Sequence, residues 1–183
     1  DPAGIKQALD IGAQTLLIPM IDSAEQALAA IRACLYPPQG IRGVGAALAR
    51  ASRFGAETDY LTTANEQVCI LLQVESRAGL AALDDMLALP RLDGVFIGPS
   101  DLAADMGHLG QPGHPQVRDA VLNALTRIRA AGKAAGVLTT DPEFVSACKA
   151  AGATFVGVGI DVTLLSGALR ALAASVREPA PGR

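Results

Sequence analysis

With 183 residues, half of them hydrophobic and only 3% aromatic, the chain has enough material for one domain whose core is built from Ala, Leu, Val and Ile. A net charge of −3, with Lys and Arg scattered along the chain, excludes the basic footprint of a nucleic-acid partner. Nor does any apolar run reach the roughly 18 residues that a membrane-spanning helix needs. Cys34, Cys69 and Cys148 show neither CxxC nor zinc spacing. An odd count without a disulfide framework points to a reducing, cytoplasmic setting. Cys69, inside an apolar run, is expected to be a small buried hydrophobe.

The chain opens on Asp1-Pro2-Ala3-Gly4, with no initiator Met and directly in a helical pattern, as a piece of a longer polypeptide would. Asp1 suits an N-cap with Pro2 in the first turn, and Gly12 marks the end of that helix. Thr15 to Met20 is a short apolar strand. Asp22 or Ser23 caps a second helix, with Ala27, Leu28 and Ile31 expected to face inward. Pro37-Pro38 stops it.

The connection from Tyr36 to Gly55, YPPQGIRGVGAALARASRFG, is unusually long, with a short helix expected over Ala46 to Ser52. Its glycine spacing matches neither a P-loop nor GxGxxG. Loop length instead predicts an ordered segment near the active site or at a subunit interface.

The remainder alternates. A helix from Thr58 to Glu66 precedes the strand Val68 to Val74, and one from Ser76 to Leu87 precedes Gly94 to Ile97. His114-Pro115 opens a long helix with a stripe of Val117, Val121, Leu125 and Ile128, ending at Gly132. Lys133 to Leu138 is a strand, Asp141-Pro142 starts a further helix, and Ala153 to Gly159 is the last strand. A final helix over Val162 to Val176 leads into the Pro-rich tail Arg177 to Arg183.

Five buried strands, each followed by a helix, predict an α/β fold with a parallel sheet, either doubly wound or part of a (β/α)8 TIM barrel. A full barrel takes ~250 residues, so about three βα units are missing from such a barrel here. Residues 1–183 then form a single partial barrel domain that lacks its N-terminal units.

Reactive groups in such folds gather at the carboxyl ends of the strands. That position holds Gln73 and Glu75 on the second strand and Ser100 and Asp101 on the third. Gln73 and Glu75 share strand parity and so point to one face. Two carboxylates at the ends of adjacent strands suit a shared hard cation with open positions for substrate. The same residues also suit helix capping, Glu75 before Ser76 and Asp101 before Leu102. Asp141 and Asp161 read as N-caps, and His108 and His114 as surface residues. Lys133 precedes its strand, which disfavours Schiff-base chemistry.

The stretches ILLQVESRAG, DGVFIGPSDLAADMGHLG with HPQV after it, GKAAGVLTTD and ATFVGVGIDVTLL, together with the Tyr36–Gly55 loop, resemble the class II metal-dependent pyruvate aldolases over nearly the whole chain. The resemblance implies a (β/α)8 barrel, commonly a homohexamer with helices exchanged between subunits. It also implies a divalent cation (Mg²⁺, Mn²⁺ or Co²⁺) on Glu75 and Asp101. By the same resemblance, Gln73 contacts the pyruvyl part of a small 2-oxo acid substrate, and the backbone of Ser100 binds its carboxylate. Asp10 matches an aspartate that raises the basicity of the family's catalytic histidine. That histidine and a strand arginine lie in βα units that precede Asp1, and neither His108 nor His114 matches the motif. The implied reaction is retro-aldol cleavage of a 4-hydroxy-2-oxo acid to pyruvate and an aldehyde. The expected substrate is 4-hydroxy-2-oxoheptanedioate, which yields succinate semialdehyde in aromatic catabolism. A related sugar-acid aldolase, or a truncated non-catalytic chain, is the alternative.

Overall fold

The computed structural model describes residues 1–176. Five strands, β1 (Thr15–Ile18), β2 (Cys69–Val74), β3 (Gly94–Ile97), β4 (Ala134–Leu138) and β5 (Phe155–Gly157), form one parallel sheet in the order β1-β2-β3-β4-β5. Chain order and spatial order coincide. Parallel crossovers are right-handed, so a sheet that never reverses its order carries its helices on one face. A doubly wound sheet needs a reversal. This sheet is therefore wound in one direction, as in part of a barrel. The expected α/β class and parallel sheet are present, and of the two architectures left open, the doubly wound one is not adopted.

The covered face is the core. Ile70, Leu72 and Val74 of β2, Val95 and Ile97 of β3, and Ala135 and Val137 of β4 are buried beneath the helices. The long helix contributes Val117, Val121, Leu125 and Ile128, the stripe that the 3.6-residue period predicted. The alternate strand positions face the other way. Leu17, Leu71, Phe96 and Phe155 lie on that face, where Phe96 and Phe155 pack with ring centroids 5.4 Å apart. Phe155 remains 48% exposed. Cys69 belongs to this second face and is only half-buried, so its expected burial in the core is corrected. Strand parity decides that, because Ile70 takes the core side.

The helices are α1 (Pro2–Asp10), α2 (Ala24–Cys34), α3 (Tyr60–Gln67), α4 (Arg77–Ala81), α5 (Leu83–Leu87), α6 (Pro99–Asp105), α7 (Pro115–Ala130), α8 (Pro142–Ala150) and α9 (Asp161–Val176). The Asp1 carboxylate caps α1, Ser23 caps α2, and Asp141 caps α8 by accepting from the N–H groups of Glu143 and Phe144. Three departures have local causes. Leu28 is 41% exposed, because Ala27, Ala30, Ile31 and Cys34 complete the buried stripe of α2 without it. The expected Ser76–Leu87 helix divides at Ala82 into α4 and α5. The Ala46–Ser52 segment forms two 3-10 turns, followed by left-handed Arg53, Phe54 and Gly55. Among the described residues, no helix is long and apolar enough to cross a membrane. The tail Arg177–Arg183 lies outside the described residues.

Candidate active site

The strands run toward a single end, and of the polar groups read from the sequence, Gln73, Glu75 and Asp101 line one cavity there while Ser100 does not line it. Register pairs Gln73 with Phe96 and Val74 with Ile97, so Glu75 falls beside Gly98 at the carboxyl ends of β2 and β3. Gln73 and Glu75 are two residues apart on the same strand side, and Gln73 Nε2 donates to Glu75 Oε2 at 2.5 Å. Glu75 Oε1 accepts the backbone N–H of Met20 at 3.0 Å. Only 8% of Glu75 is exposed. A buried carboxylate is costly unless it is hydrogen-bonded, and here each oxygen has one protein donor and further lone pairs to spare.

The alternative reading of Glu75 as a helix cap does not hold. Ser76 caps α4, its Oγ accepting from Gly79 N–H, and leaves the Glu75 carboxylate to the cavity. Asp101 is likewise no cap. The segment turns helical at Pro99, and Gly98 occupies the N-cap position without a side-chain hydrogen bond. Ser100 and Asp101 therefore stand exposed in the first turn of α6. Glu75, Gln73 and Asp101 line one cavity of about 350 Å³.

Gly98 is needed for this arrangement. A Cβ at that position would lie 2.6 Å from Glu75 Oε2 and 2.9 Å from Gln73 Nε2. The Glu75 carboxylate and the Gln73 amide thus sit against bare backbone, with their remaining valences toward the cavity. All-oxygen donors of this kind fit a hard divalent cation, so Glu75 and Asp101 are suited to hold the one that the resemblance implies.

One lining residue was missed in the sequence. Asp22 was read as a possible cap for α2, a role that Ser23 takes. The backbone past β1 turns sharply at Met20, whose φ is 60°, and Asp22 then reaches the same cavity. Ser76 Oγ donates to Asp22 Oδ1. The available signal was position, since Asp22 follows β1 by four residues, much as Asp101 follows β3.

Asp10 is not brought to this end. It closes α1 just before β1 begins, at the end where the strands start. There it pairs with Lys6 and accepts from Arg42 Nη2 at 2.8 Å. Arg42 is 2% exposed, donates also to Tyr60 Oη at 3.1 Å, and stacks over the Tyr36 ring at 4.4 Å. Burial by itself would raise the Asp10 pKa, but the hydrogen bonds from Lys6 and Arg42 outweigh it and hold the carboxyl below its usual range. Burial pushes Tyr36 up to about 12. This cluster fastens the Tyr36–Gly55 loop, with Arg42 N–H donating to Leu35 O and Ile41 N–H to Arg32 O. Within this chain the loop therefore lies away from the carboxyl-end cavity, contrary to the first of its two expected locations. His108 and His114 stack on each other at 3.5 Å, and His114 caps α7.

A one-way parallel α/β sheet with an amide and carboxylates converging past its strand ends is the arrangement of an α/β enzyme site. The chain belongs to the HpcH/HpaI aldolase/citrate lyase family, which it matches over residues 1–168. It is 55% identical over 181 residues to a hydroxypyruvate/pyruvate aldolase of Pseudomonas aeruginosa, covering 99% of this chain and 68% of that protein. To the hydroxypyruvate/pyruvate aldolase of Deinococcus radiodurans it is 59% identical over 174 residues, 95% of this chain and 63% of the relative. A 4-hydroxy-2-oxo-heptane-1,7-dioate aldolase of Shigella sonnei is 52% identical over 174 residues, 95% and 66% of the two chains. The crystal structure of an HpcH/HpaI aldolase/citrate lyase family protein from Burkholderia cenocepacia superposes with a TM-score of 0.89 at 39% identity, over 97% of this chain and 70% of that one. The chain thus spans about two thirds of the length of the relatives it matches. The resemblance to pyruvate aldolases read from the motifs holds at the family level.

Proposed function

We propose that the protein to which this chain belongs is a divalent-metal-dependent aldolase that cleaves 4-hydroxy-2-oxo acids to pyruvate and an aldehyde. One observation carries this reading: Glu75, nearly buried, is held by Met20 N–H and Gln73 Nε2 beside Asp101 in a single cavity at the carboxyl ends of β2 and β3. The relatives named as aldolases support it.

Glu75 and Asp101 would hold the cation. When bound, it supplies a Lewis acid for the negative charge that develops on the pyruvate enolate. The protein's own groups do the rest. The Gln73 amide, already oriented by its bond to Glu75 Oε2, presents its oxygen or second N–H to the pyruvyl group. The first turn of α6 leaves backbone N–H groups without helical acceptors, because the first such bond is Leu102 N–H to Gly98 O. The Ser100 N–H among them suits the substrate carboxylate.

The 4-hydroxyl proton must be taken by a base. Among the described residues no histidine lines the cavity, and Asp10 stands at the other end of the strands. That base is therefore assigned to a part of a closed (β/α)8 barrel outside residues 1–183, and Asp10 has no direct route to the cavity within this chain. The 52% relative named for 4-hydroxy-2-oxo-heptane-1,7-dioate supports that substrate, and the 55–59% relatives support hydroxypyruvate with pyruvate. Assembly as a homohexamer in the cytoplasm belongs to the same proposal. Pyruvate release from a 4-hydroxy-2-oxo acid, with and without chelator, is the test. Activity that persists in chelator and in Glu75→Ala would overturn it.

A further inference from the structure

Resting on that reading, we propose that Asp22 selects the aldehyde, favouring a neutral, hydroxylated one over one that carries a carboxylate. Three carboxylates line the cavity, those of Asp22, Glu75 and Asp101, and among the described residues no Lys or Arg lines it. The charges of Glu75 and Asp101 are the ones a divalent cation would offset. The charge of Asp22 is left over.

Asp22 is also held in place. Ser76 Oγ donates to its Oδ1 and in turn accepts from Gly79 N–H, while Asp22's own N–H donates to Gln26 Oε1 at 2.8 Å. The carboxylate is thereby tied to the start of α4 and the Asp22 backbone to α2, with Oδ2 left to accept from a hydroxyl. A fixed acceptor rewards a substrate hydroxyl with a charge-assisted hydrogen bond. The same fixed charge repels an anionic chain end that enters the cavity, where screening by solvent is incomplete. In the aldol direction C3 of pyruvate bonds to the aldehyde carbon, and the aldehyde oxygen takes a proton to become the 4-hydroxyl. Asp22 takes no part in those bond changes and acts on what the aldehyde carries beyond its carbonyl.

The test uses the full-length natural protein and Asp22→Asn, which keeps an oxygen for Ser76 Oγ and removes the charge. Aldol addition of pyruvate to glycolaldehyde is compared with addition to succinate semialdehyde. The ratio of kcat/KM for glycolaldehyde to that for succinate semialdehyde is expected to fall about tenfold in the variant, about 1.4 kcal/mol. A higher KM for glycolaldehyde and faster use of succinate semialdehyde should both contribute. An unchanged ratio, or an equal loss on both aldehydes, overturns the assignment. Exchange of the pyruvate C3 hydrogens for deuterium by the wild-type protein, with no aldehyde present, separates the two readings. If that exchange is absent, the proposed aldolase function fails. If it occurs and the ratio does not move, only the role of Asp22 fails.

Discussion

Glu75 and Met20 are 55 residues apart in the chain, and the Met20 backbone N–H donates to Glu75 Oε1 at 3.0 Å. The bond spans the ends of β1 and β2 at a residue whose φ is left-handed, 60°, a conformation that costs a non-glycine residue on the order of 1 kcal/mol. The carboxylate is thus held by backbone on one oxygen and by the Gln73 amide on the other.

Glu75→Gln keeps an acceptor for Met20 and removes the charge. We expect Mn²⁺ affinity, measured by calorimetry, to fall by roughly 100-fold or more, beyond the range seen when only a supporting residue is lost. The thermal midpoint should move little. Wild-type affinity in this variant would take Glu75 out of the metal site.

Gly98→Ala tests the close approach. The backbone angles at Gly98, φ −97° and ψ 93°, are open to alanine, so any effect is steric. The added Cβ meets Glu75 Oε2 at 2.6 Å and should cost about 1–3 kcal/mol of stability, as overpacking does, with a raised KM for pyruvate. Wild-type stability and KM together would show that the carboxylate has room to move.

Asp10→Asn probes the opposite end. It leaves the Arg42 guanidinium buried without its counter-charge, which should destabilise by about 1–3 kcal/mol, less than for a fully buried pair because Asp10 is partly exposed. The folded-state pKa of Asp10 is depressed. Its stabilisation is thus complete above the unfolded-state value of about 3.9 and is lost as pH falls through the lower folded value. Urea unfolding should show the wild-type advantage at pH 7 shrinking below about pH 4. A difference that stays constant down to pH 3 would contradict this.

Leu17→Ala addresses barrel closure. Leu17 pairs in register with Leu71 on the sheet face opposite the helices and is 39% exposed in this chain. Inside a closed barrel it becomes an interior residue, and the substitution in the full-length protein should cost about 2–4 kcal/mol. A change under about 0.5 kcal/mol would argue for a sheet that stays open on that face.

The sequence by itself determined the period of the chain. Alternating Val/Ile/Leu runs and capped helices place β1 to β5, and strand parity puts Gln73 and Glu75 on one face, because side-chain alternation is a local property of an extended chain. That Glu75 and Asp101 face one cavity was legible for the same reason, as both follow neighbouring strands. Only the tertiary structure decided the rest. It winds the sheet in one direction, sends Asp10 to the far end with Arg42, and brings Asp22 into the cavity through Ser76. Each of these depends on contacts between segments tens of residues apart. No local spacing encodes such contacts, since they exist only once the strands have aligned and the loops beyond them have met.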